Sequence, residues 1–161
     1  MREILFRGKD FNNKWIEGLP VKISKELSLI RKLGGDGIGY YDCGVFDSTI
    51  GQFTGLTDKN GKKIFEGDIL KTIHYFRGSM DEFKKKKIRK AYGKAIENKN
   101  SYLEEFTYFR NYVVEYSAKK CAWIGRNGSD QHELKSLTNC FHKGAVIGNI
   151  HDNPELLEVK K

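Results

Sequence analysis

The chain is poor in proline, with two in 161 residues, and poor in cysteine, with three. Two prolines against seventeen glycines leave the turns to glycine, which suits an all-β or α+β fold better than a helical bundle. Cys43, Cys121 and Cys140 are odd in number and show no paired spacing, so no disulfide framework is expected. Reduced thiols in a cytoplasmic protein are the reading that follows. No apolar run is long enough to span a bilayer. The opening residues MREILFRGKD hold no apolar segment of the secretory kind, so no signal is expected there. Hydrophobic residues make up only 39%, yet eight Tyr, ten Phe and two Trp supply bulky core material. A chain of this length buries a core without staples and is read as one domain.

The most patterned stretch is TIGQFTGLTDKNGKKIFEGDIL, Thr49 to Leu70. It is not a phosphate loop. Five residues separate Gly55 from Gly61 where a P-loop needs four, and Lys62 and Lys63 follow where a hydroxyl would bind magnesium. It is not a calcium loop either. Asp58 and Asn60 fit the first two ligand positions, but Lys62 puts a cation at the third. GGDGIG, Gly34 to Gly39, lacks the G-x-G-x-x-G spacing and any βαβ context. What remains for the stretch is backbone shaping. Asn60-Gly61 is a strong hairpin signal of the type I′ kind, and Gly67-Asp68 makes a corner before an apolar strand.

Chemistry-bearing residues are present but scattered. Cys140 and His142, with His132 or His151, are the sulfur and imidazole group, and their spacing matches no closed zinc pattern. The cysteines carry no nucleophile signature and read as structural. Glu66 and Asp68 alternate as acids facing one side of a strand, a pattern that turn polarity explains as well as acid–base chemistry does. No catalytic, cofactor or metal residues are assigned. An enzyme would need a pocket gathering Glu66, Asp68, a histidine and a thiol.

The net charge of +8 is unevenly spread. From Ser79 to Asn100 eight bases face three acids, so this segment holds +5 and the rest of the chain +3. On a helical wheel from Lys86 to Ile96, Ile88, Ala91, Tyr92, Ala95 and Ile96 share one side, opposite Lys86, Arg89, Lys90 and Lys94. A second helix is read from Tyr102, Phe106, Phe109 and Val113. The candidate nucleic-acid contacts are Lys84, Lys85, Lys86, Lys87, Arg89, Lys90 and Lys94, because phosphate neutralisation dominates such affinity. Tyr75, Phe76, Tyr92 and Tyr102 lie close by in sequence to stack on bases. The competing reading is a solvated helix face or a protein contact.

Elsewhere the chain reads as strands. Residues 3–18 form two, joined at Asp10–Asn13. YYDCGVFD forms another, with a bulge at Gly44 allowed. Residues 111–125 form a hairpin turning at Ala118–Lys120, and GAVIGNI a late apolar strand. Asn153 and Pro154 open a short final helix.

Three blocks together resemble the YopX-like proteins of phages and prophages: FRGKDFNNKW at Phe6–Trp15, the Thr49–Leu70 stretch, and VIGNIHDNPELL at Val146–Leu157. They bracket essentially the whole chain. The resemblance implies an α+β fold, with a β-rich body containing a small barrel and surrounding helices. On this layout residues 1–161 form a single domain, and 79–111 a basic helical insertion longer than the family's usual connection. It also implies a phage or prophage accessory protein in the cytoplasm of a bacterial host, with no established activity whose residues could be carried over. The expected function is therefore non-enzymatic binding of nucleic acid through the basic insertion, with no membrane role. The alternative is a protein-interaction or self-assembling module without nucleic-acid affinity, engaging a phage or host protein or a second copy of itself.

Overall fold

The computed structural model describes residues 3–33, 39–77, 96–98, 105–139 and 143–157. Among them the chain is built of strands, one four-residue α-helix and two 3-10 turns. It divides into two compact units: Met1–Leu56 with Lys63–Glu66, and Thr57–Lys62 with Gly67–Lys161.

The first unit rests on a six-stranded antiparallel sheet of β1 (Phe6–Lys9), β2 (Trp15–Lys22), β3 (Leu27–Leu33), β4 (Tyr40–Phe46), β5 (Gly51–Thr57) and β6 (Lys63–Phe65), in the order β4-β3-β2-β1-β5-β6. The expected hairpin at Asp10–Asn13 is there. Asp10 Oδ1 accepts from the N–H groups of Asn12 and Lys14, both at 2.8 Å, and Asn13 takes the left-handed φ of 60°. Ile30 and Val45 are fully buried, and both pack against the space over Gly8 that a Cβ would crowd. Arg7 is buried as well, its guanidinium 4.4 Å from the Trp15 ring and 4.6 Å from that of Phe65. Two aromatic faces thus offset part of the cost of taking that cation out of water. Register through Gly44 is regular, without a bulge; the glycine makes room for the Phe11 ring.

The second unit rests on β7 (Asp68–Arg77), β9 (Glu105–Ser117), β10 (Ala122–Asn127), β11 (Asp130–Glu133) and β12 (Ala145–Asn149), in the order β11-β10-β9-β7-β12, with β8 (Ile96–Asn98) pairing β9. β7 and β9 run in register from Ile69↔Val113 to Arg77↔Glu105. Leu70, Tyr112 and Val114 are buried on one face, where Leu137 of the helix α1 (Leu134–Leu137) fills the space left by Gly125. Ile69 and Ile124 are buried on the other face, where Asn111 Nδ2 donates to the carbonyl of Leu156 in the final 3-10 turn, Pro154–Leu157. The turn at Ala118–Lys120 stands where the sequence places it.

Two expectations are corrected. The fold is not α+β with surrounding helices: it is two antiparallel sheets, and α1 is the one α-helix among the described residues. Neither sheet closes into a barrel. In the first unit, among the described residues, β4 pairs with the segment after β1 through one isolated bridge, Asp10↔Val45. The second helix expected over Tyr102–Val113 is strand from Glu105 onwards. Aromatic and β-branched residues crowd that stretch, and β9 carries apolar residues on both faces, Phe109 and Val113 on one and Tyr108, Tyr112 and Val114 on the other, so they show no clean alternation and mimic a helical period. The first expected helix, over 86–96, lies outside the described residues except for Ile96, which begins β8.

Candidate functional site

The Asn60-Gly61 hairpin supplies one wall of the site. Asp58 N donates to the Lys62 carbonyl at 2.8 Å, and Gly61 N to the Asp58 carbonyl at 3.0 Å. Gly61 takes a φ of 80°, whereas Asn60 does not take a positive φ. The loop is therefore three residues ending in a left-handed glycine, not the two-residue type I′ turn the dipeptide suggests. Its buried acid explains the choice. Asp58 Oδ1 accepts from Asn60 N at 2.8 Å and Lys62 N at 2.9 Å, while Oδ2 accepts from Val146 N at 3.0 Å. Burial pushes this carboxyl up, but the N–H groups of Val146, Lys62 and Asn60 outweigh it and hold the group below its ordinary value. Asp58 is spent on backbone.

Lys59 N adds a bond to the Gly144 carbonyl at 3.1 Å. Together the two contacts satisfy outward-facing groups of β12, an edge strand of its sheet. β12 is irregular there: Val146 pairs with Leu70 and Gly148 with Ile69, so Ile147 is the extra residue of a bulge.

Between this turn and the sheet lies an open cavity of about 410 Å³. The turn contributes Lys59 and Asn60; β7 contributes Lys71 and Ile73; β9 contributes Phe109. Lys143, Ala145, Val146 and Ile147 close it from β12 and the residues before it. Ile73 and Phe109 are direct cross-strand partners, and Lys71 lies diagonally across from Phe109 with its Nζ 4.5 Å from the ring centroid. Among the described residues no carboxylate lines the cavity, and none of the three lysines forms an ion pair. Lys143 has a left-handed φ of 45°, a conformation costly for any side chain but glycine's. Three lysines without an ion-pair partner among the described residues, set around a partly apolar floor, form an arrangement that can attract an anion.

A second polar cluster occupies the opposite face of the same sheet. His74 Nε2 lies 2.9 Å from Thr72 Oγ1 and 3.4 Å from the Tyr112 hydroxyl. Arg110 Nη1 donates to that hydroxyl at 3.2 Å and to Asp130 Oδ2 at 2.7 Å. The His74 ring stacks on Tyr108 at 5.4 Å. Burial raises the pKa of both tyrosines. Tyr112 and Thr72 are wholly buried, so the network's centre serves to join β7, β9 and β11.

The seven sequence-predicted contacts, Lys84 to Lys94, lie outside the described residues, as do Cys140 and His142. His132 and His151 are exposed, on β11 and in the turn after β12. Among the described residues no three His, Cys, Asp or Glu side chains gather as metal ligands. Glu66 is half-buried and Asp68 almost wholly buried, and neither lines the cavity. Lys63, a base outside the insertion, is paired with Glu3 at 2.9 Å. The cavity lysines were missed because they come from three separate segments. The one local signal was Lys71, a charge inside the apolar run DILKTI.

The family model described as YopX protein matches residues 5–158, and the chain belongs to the YopX family. That membership makes it a phage-type protein. No curated protein matches the chain. Among the described residues no helix is long and apolar enough to cross a membrane.

Proposed function

We propose that this phage-type protein acts by binding nucleic acid, without catalysing a reaction, and that the lysine-lined cavity is its docking groove. The observation that carries the reading is the set Lys59, Lys71 and Lys143, three cations with no carboxylate among them. Lys143 supports it further, because its left-handed backbone, strained for a residue other than glycine, is the kind of local cost that functional positions carry. The bases from Lys84 to Lys94 add phosphate contacts in the same proposal. Binding of labelled DNA and RNA across a salt series tests it. Changing the three groove lysines to Gln should flatten the slope of log K against log salt by about two units, and changing the seven bases should flatten it further. Equally weak binding by parent and variants at low salt refutes the proposal.

A second reading is a self-assembling module. One face of the first unit's sheet exposes Leu19, Val21, Tyr40 and Phe46, with Phe11 set edge-on to Phe46 at 5.3 Å. The Arg31–Asp42 pair, 2.9 Å apart, is the charged feature bridging β3 and β4 on that face. Apolar patches of this kind mark contact surfaces. Its occupant would be a second copy, and sedimentation would then show a mass that falls when Tyr40 and Phe46 become Ser.

A further inference from the structure

We infer that the groove takes a single strand of nucleic acid in preference to a duplex; this rests on the nucleic-acid reading above and narrows it. The lining is of two kinds. Three ammonium groups suit phosphates, but Ile73, Phe109, Ala145 and Ile147 are apolar members of the same lining. A duplex presents sugar and phosphate outwards and keeps its base faces stacked inside. Laid across this cavity it would satisfy the lysines and leave the apolar surface facing charged oxygens. A single strand meets both demands, since an unstacked base lies on apolar side chains while its flanking phosphates reach the cations.

The side-chain arrangement refines the contact. Lys71 covers one face of Phe109, so the ring holds that ammonium over the cavity instead of offering that face to a base. Base contact then falls on the aliphatic wall, where the β12 bulge places Ile147, 38% exposed. Asn60 is the one amide among the described lining residues, which gives little means of reading base edges. Binding with little sequence preference follows.

The test compares a labelled oligothymidylate with a hairpin duplex of equal phosphate count, by anisotropy over a salt series, using the full chain. The single strand should bind about tenfold tighter. Lys71→Gln should flatten the salt slope by about 0.7 for the single strand. Ile147→Ser should weaken single-strand binding about fivefold with an unchanged slope, and leave duplex binding alone. Ile147→Thr, which keeps the β-branch, serves as a second variant should the serine disturb β12. Duplex binding as tight as single-strand binding, with the same dependence on Lys71, overturns this inference and leaves the broader reading intact. Single-strand affinity indifferent to both Ile147 variants also overturns it. Binding of neither polymer at low salt overturns both.

Discussion

Asp58 and Asp10 sit at the head of two turns with the same backbone pattern, Asp58–Lys62 and Asp10–Lys14. In each, the carboxylate's Oδ1 takes the N–H groups two and four residues on, and the fourth residue is left-handed. The turns differ in what they reach: Lys59 N donates to the Gly144 carbonyl, and the Asp58 carboxylate itself, through Oδ2, also accepts from Val146 N, 88 residues away. Asp58→Asn keeps an oxygen for the two local donors but turns an amide N–H₂ towards the Val146 N–H. It therefore loses a hydrogen bond to a charged group and leaves a half-buried donor unmet, at a cost of about 1–3 kcal/mol. Asp10→Asn loses no long-range bond, its local donors are exposed, and the cost should stay below about 1 kcal/mol.

Urea denaturation of the two variants beside the parent checks this. The pH dependence adds a second arm. The Asp58 carboxyl is held below its ordinary value in the folded chain, so its charge contributes stability above the unfolded value. That contribution is lost as pH falls through the folded value. The gap between parent and Asp58→Asn should therefore be full at neutral pH and shrink below about pH 4. Equal costs for the two variants, or a gap that persists unchanged in acid, would show that the long-range bond does not hold the turn.

Lys143→Gly should stabilise the chain by about 1 kcal/mol by removing the left-handed strain, while weakening nucleic-acid binding; melting and anisotropy on one preparation read both. Gly125→Ala places a Cβ 2.3 Å from Leu137 Cδ1 and 3.0 Å from Tyr112 Cβ, so it should cost about 1–3 kcal/mol by chemical denaturation. Tyr112→Phe removes a hydroxyl that meets Arg110 and His74, and should cost about 1 kcal/mol without changing affinity for nucleic acid.

Much of the strand order was legible in turn chemistry. Asn13, Gly61 and Gly67 take left-handed φ values at turns the residues announce, and the strands on either side follow. The helix misread over β9 has a physical source. A strand that carries apolar residues on both faces does not alternate, and spacing alone cannot then separate period 2 from period 3.6. The barrel came from resemblance, and the pairing that would close it is reduced to Asp10↔Val45. The groove was hidden for another reason. Lys59, Lys71 and Lys143 are 84 residues apart at the extremes, and it takes the pairing of β12 with β7 together with the bonds from loop 57–62 to Gly144 and Val146 to bring them together. The density of charge in 79–100 drew attention instead, because local concentration is what a linear reading detects.

The same few residues answer a folding problem and create the site. β12 is an edge strand, and an edge with open N–H and C=O groups invites pairing with another chain. Loop 57–62 blocks that edge with two bonds: Val146 N donates to the Asp58 carboxylate, and Lys59 N donates to the carbonyl of Gly144, just before β12. To make them it must lie alongside β12, which carries the Lys59 and Asn60 side chains to the rim of the cavity. The bulge that further discourages pairing is what turns Ile147 into the lining. Loosening the Asp58 bond should therefore lower ligand affinity even though that carboxylate lines no part of the groove. Asp58→Asn should weaken single-strand binding with the salt slope reduced, since Lys59 would leave its place, whereas Asp10→Asn should leave both unchanged. An Asp58→Asn protein that binds as tightly as the parent, with the same slope, would separate edge protection from the groove and remove the link between them.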